Sequence, residues 1–96
     1  MLQLREQDRH TLQATLARFP EVRRAWVFGS RAAGRARRAS DIDLAIEAPA
    51  RAPARWHDLI EALEQAPVIY RLDVIRLDAL DDPAIKRAIL RSRVPL

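Results

Sequence analysis

The apolar positions of the chain fall into alternating helical and strand-like periods. Between Gln3 and Phe19, Leu4, Leu12, Leu16 and Phe19 recur at near-helical spacing, and Pro20 closes the segment. Val22 to Phe28 is a short run rich in β-branched and aromatic residues that ends at Gly29, which predicts a strand. Asp41 to Glu47 alternates cleanly: Ile42, Leu44 and Ile46 point one way, and Asp41, Asp43 and Ala45 the other. That is the pattern of a half-buried strand with two carboxylates on its polar face. Ala48 to Pro53 is a turn-rich connection interrupted by two prolines.

Trp56, Leu59, Ile60 and Leu63 follow i, i+3, i+4, i+7 spacing, so a second long helix is expected over about Ala54 to Gln65, ended by Pro67. Val68 to Leu77 reads as a third strand. Val68, Tyr70, Leu72 and Val74 share one of its faces, and Asp73 lies opposite, beside Arg71 and Ile75. Asp82-Pro83 makes a good helix start, with Asp82 as N-cap. Ile85, Ile89 and Leu90 are the expected buried stripe of the last helix, after which Val94-Pro95-Leu96 trails off. The order helix, strand, glycine loop, strand, helix, strand, helix predicts an α/β fold with a small mixed sheet and helices packed against it. No repeat and no second domain is visible, so residues 1–96 read as one domain.

Composition narrows the function classes. At 49% hydrophobic residues the chain is in the globular range. It has no cysteine, which excludes disulfides, thiolate metal sites and cysteine nucleophiles. No apolar run approaches the roughly 20 residues of a membrane helix. The first residues are polar too early for a signal peptide, so a cytoplasmic location is expected. The net charge is +4 and Lys86 is the single lysine. Arginine is the better fork for phosphate, but the same bias accompanies the abundant alanine, so the charge permits acidic partners without demonstrating one.

Three elements carry candidate chemistry. Gly29-Ser30 ends a strand and turns toward a short helix, where free backbone N–H groups and a serine hydroxyl can meet an anion. Alone, the pair is a weak signal, since Ser30 can also act as a plain N-cap for a helical turn. Asp41 and Asp43, two apart on a strand, have α-carbons about 6.5–7 Å apart and point to one face. Their carboxylates can share a hard cation, or two cations about 3.5–4 Å apart. Asp73 emerges from the same side if the two strands share a sheet, or else pairs with a nearby arginine such as Arg71. Between these elements lie Arg31, Arg35, Arg37 and Arg38, which can meet a triphosphate, nucleic acid or an acidic protein surface, or simply line a solvated loop. His10 and His57 read as surface or packing residues, and Trp26, Trp56 and Tyr70 as core.

Gly29-Ser30, ten residues, then Asp41-Ile42-Asp43, with Asp73 in a later strand, resembles the DNA polymerase β-type nucleotidyltransferase superfamily, and most of all its minimal nucleotidyltransferase (MNT) branch. The resemblance runs over nearly the whole chain. It implies that Asp41, Asp43 and Asp73 form the catalytic and metal-binding set for Mg²⁺, with two ions expected, and that Asp73 helps to activate the acceptor hydroxyl. It further implies that Gly29 and Ser30, with Arg31 and Ser40 beside them, hold the nucleotide. By the same resemblance ATP is the substrate. The partner is a helical HEPN toxin adenylylated on a tyrosine, this chain is the antitoxin, and the two form a hetero-oligomer. A binding-only antitoxin that masks its partner, or a subunit acting on a small-molecule hydroxyl, are the alternatives. No stable nucleic-acid binding and no membrane association are expected. Larger relatives carry a helical acceptor domain, so here the acceptor is expected in trans. Relatives also often end in a more extended apolar segment than Val94-Pro95-Leu96.

Overall fold

A computed structural model describes residues 3–34, 36–37, 41–48 and 53–96 of the chain. The elements are α1 (Glu6–Ala17), β1 (Arg24–Phe28), α2 (Gly29–Ala32), β2 (Ile42–Glu47), α3 (Pro53–Gln65), β3 (Leu72–Arg76), a 3₁₀ turn (Leu77–Ala79), α4 (Pro83–Ser92) and β4 (Val94–Pro95). Four strands form one sheet in the order β3-β2-β1-β4. β2 runs parallel to β3, and β1 runs antiparallel to both β2 and β4. The helix between the parallel pair, α3, supplies the crossover that such a pair requires. The sheet is mixed and the architecture α/β, as the alternating periods predict.

The strand alternation sorts side chains onto two unequal faces. Ile42, Leu44 and Ile46 of β2 join Val27 of β1, Leu12 and Leu16 of α1, and Leu59 and Leu63 of α3 in the main core. Val68, Tyr70, Leu72 and Val74 pack partly against this same cluster, so their shared face is as expected. The opposite face carries a smaller cluster of Trp26, Ala45, Leu77 and Ile89, flanked by Phe28, Ile75 and Leu80. β2 is therefore covered on both sides at Ala45, while Asp43 near its N-terminal end is half-buried.

Several expectations need correction. The first helix begins at Glu6 rather than Gln3, because Arg5 is extended and Gln3 bonds to the Arg31 main chain instead. The third strand spans Leu72–Arg76 rather than 68–77. β2 starts at Ile42, opposite Leu72, so earlier residues have no ladder partner in it. Leu77 turns into the 3₁₀ segment to fill the smaller core. Of the expected stripe on the last helix only Ile89 is buried; Ile85 is 47% exposed and Leu90 42%. Among the described residues the second face carries one small apolar cluster, and Ile89 is the α4 residue buried in it. Val94-Pro95-Leu96 does not trail off: β4 pairs with β1, Val27 opposite Val94, and Leu96 N–H donates to Ala25 O at 3.0 Å. Proline is tolerated there because β4 is an edge strand. The Asp82 cap is as expected, its Oδ1 accepting from the N–H groups of Ala84 and Ile85.

Candidate active site

Gly29 opens α2 directly from the end of β1. Its φ of +72° lies in the left-handed region. A Cβ at this position would run into Asp43 Oδ2. Glycine is thus required twice, for backbone conformation and for the close approach of the Asp43 carboxylate. The N-cap of α2 is Phe28, with no side-chain cap, so the plain N-cap role for Ser30 does not hold; Ser30 is already within the helix.

Asp41 stands just before β2 and Asp43 is its second residue. Asp43 is opposite Phe28 in β1 and in direct register with Asp73 in β3. In a parallel pair, residues in register share a face, so Asp43 and Asp73 emerge together on the open end of the second face. Asp41 lies two residues before Asp43, just ahead of the strand. Asp43 is half-buried, whereas Asp41 and Asp73 are exposed. Its carboxyl is pushed above the usual carboxylate range, first by burial, then by the charges of Asp73 and Asp41, with Arg31 opposing. Like charges crowded at one spot disfavour ionisation, and a cation relieves the cost.

The donor set fits a hard divalent cation: every side-chain donor is a carboxylate oxygen, with no thiolate or imidazole among them. Among the described residues, however, no three His, Cys, Asp or Glu side chains are gathered closely enough to hold a metal ion. Asp43 and Asp73 share a face and a register, and Asp41 precedes the strand.

The arginines divide. Arg31 is buried rather than standing in an open loop; Arg37 is exposed. Arg35, Arg38 and Ser40 lie outside the described residues. Gln3 and Tyr70 also belong to the site's surroundings: Gln3 bonds to Arg31, and the Tyr70 ring lies under the guanidiniums of both Arg31 and Arg5. Nothing in the sequence couples positions so far apart.

Residues 10–96 match the family model described as polymerase beta, nucleotidyltransferase. The chain belongs to this family. Its fold is similar to that of solved toxin–antitoxin structures. A toxin–antitoxin with AMP-PNP matches at a TM-score of 0.66 and 23% identity, over 90% of this chain and 69% of the other. A mutant of the toxin–antitoxin MntA-HpeT matches at 0.68 and 21%, over 98% and 72%. A second MntA-HpeT mutant gives 0.61 and 21%, over 96% and 71%. No curated protein sequence matches the chain. At these identities the likeness concerns the fold. No helix among the described residues is long and apolar enough to cross a membrane.

Proposed function

We propose that residues 1–96 form a single Mg²⁺-dependent nucleotidyltransferase domain that transfers AMP from ATP to a tyrosine of a HEPN-type helical toxin, and so serves as its antitoxin. The observation that carries this is the register of Asp43 with Asp73 beside the Gly29 turn, in a chain of the polymerase β nucleotidyltransferase family. The likeness to toxin–antitoxin structures, one of them with AMP-PNP, supports the choice of partner and nucleotide.

Asp41 and Asp43, with Asp73, would hold Mg²⁺, which when bound neutralises charge developing on the entering and leaving oxygens. Gly29 and Ser30 cradle the triphosphate, since glycine lets an anion approach the backbone and the serine hydroxyl can donate. The acceptor oxygen attacks the α-phosphorus, forming one P–O bond. The bond from that phosphorus to the bridging oxygen breaks, and pyrophosphate leaves with the electron pair. Asp73, exposed and adjoining Asp43, takes the acceptor's proton. The acceptor protein docks from the open face, where α4 leaves Ile85 and Leu90 exposed.

Co-expression of this chain with its helical partner tests the proposal. The intact mass of the partner is expected to rise by whole AMP increments, and the increments disappear with Asp43→Ala. An unmodified partner that is nevertheless neutralised contradicts transfer and favours masking.

A further inference from the structure

Arg31 follows the Gly-Ser pair, where a cation invites assignment as a phosphate ligand. Its surroundings point elsewhere. The residue is 6% exposed. Its Nε donates to the Asp41 main-chain oxygen at 3.3 Å and its Nη1 to the Gln3 main-chain oxygen at 3.0 Å. The guanidinium carbon lies 4.3 Å from the centroid of the Tyr70 ring. The main chain of Arg31 takes part as well: its carbonyl accepts from Gln3 N–H at 2.8 Å. Gln3 then passes the link on, its Oε1 accepting from Ala36 N–H at 2.6 Å. A planar fork can hold two carbonyls at fixed directions while its face stacks on a ring, which an ammonium group cannot do. These contacts join four segments distant in sequence: the strap before α1, α2, the peptide of Asp41, and Tyr70 ahead of β3.

We propose that Arg31 is a positioning residue that locks the Asp41 main chain to the Gln3 strap and thereby sets where the Asp41 carboxylate stands relative to Asp43. One arm of the test rests on reading these aspartates as metal ligands; the other does not. Outer partners that orient a ligand commonly matter 10–100-fold in metal affinity.

The test compares wild type with Arg31→Lys and Arg31→Met by amide hydrogen exchange and by Mn²⁺ binding to the full chain. Arg31→Lys keeps the charge but loses the fork, so it rescues a phosphate ligand and fails to rescue a positioning residue. Exchange is expected to quicken at the Gln3, Ala36 and Ile42 amides and to stay unchanged at Leu96, on the far edge of the sheet. Mn²⁺ affinity is expected to fall about tenfold, while ATP affinity measured without divalent metal is unchanged. Wild-type exchange at all three amides in Arg31→Lys overturns the proposal, as does a loss confined to ATP affinity. A wild-type chain that binds no Mn²⁺ removes the metal reading, and the exchange arm still decides the positioning role. Should the Arg31 variants not fold, Tyr70→Leu, which removes the ring and leaves Arg31 in place, is expected to give the same local pattern at smaller amplitude; wild-type exchange there overturns the proposal.

Discussion

At the residue scale the site turns on the contact between Gly29 and Asp43. Gly29→Ala places a Cβ against the Asp43 carboxylate at a positive φ, and a strained residue of that kind costs about 1–3 kcal/mol. Chemical denaturation is expected to show that loss, together with loss of nucleotide binding; wild-type stability in this variant would contradict the backbone account. Asp43 itself works against folding when ionised. Its folded carboxyl is held above the ordinary range by burial and by Asp73 and Asp41, so the folded state binds its proton more tightly than the unfolded chain. Without metal, the contribution from Asp43 therefore diminishes as pH rises from the ordinary carboxylate range through its raised pKa. Asp43→Asn removes the charge, and its melting temperature at neutral pH, metal-free, is expected to exceed wild type. Adding Mg²⁺ is expected to raise Tm in wild type and leave Asp43→Asn unmoved. A melting curve that responds equally to Mg²⁺ in both would exclude Asp43 as a ligand.

At the element scale, α4 is attached to the sheet through Ile89, while Ile85 and Leu90 face outward. Ile89→Ala is expected to destabilise by about 2–4 kcal/mol, whereas Ile85→Ser and Leu90→Ser stay within about 0.5 kcal/mol. Urea midpoints distinguish the two classes. The same two surface changes are expected to weaken capture of the partner without affecting folding. The helix shows how far pattern reading extends. Period-3.6 spacing identified the element and Asp82 its start, because capping and periodicity are local properties. Which members of the stripe are covered depends on how much apolar sheet lies beneath, and that is set by Trp26, Ala45 and Leu77 from three other segments. β4 was illegible for the same reason. Val94-Pro95 has little strand character alone, and it is ordered by the free edge of β1. In contrast, the alternation from Asp41 to Glu47 put Asp41 and Asp43 on one side, and Asp73 joined them on the condition that its strand shares the sheet. The parallel register then set Asp43 beside Asp73. The Arg31–Tyr70 stack and the Gln3 strap were beyond sequence reach, since they depend on tertiary contacts with no periodic signature.

At the scale of the whole molecule, the sheet divides its labour. One face is closed by α1 and α3 over the main core; the other carries the smaller cluster around Ala45, with Asp43 half-buried and Asp41 and Asp73 exposed. A nucleotide and a protein acceptor can therefore approach from one direction, as group transfer between them requires. The most direct test of nucleotidyl transfer uses ATP labelled at the α-phosphate in one reaction and at the γ-phosphate in another, each with Mg²⁺ and the co-purified helical partner. The account predicts that the α label becomes protein-bound, that the γ label is released in pyrophosphate, and that Asp41→Ala and Asp43→Ala abolish both. Protein-bound γ label, or α labelling that survives loss of Asp43, would contradict it.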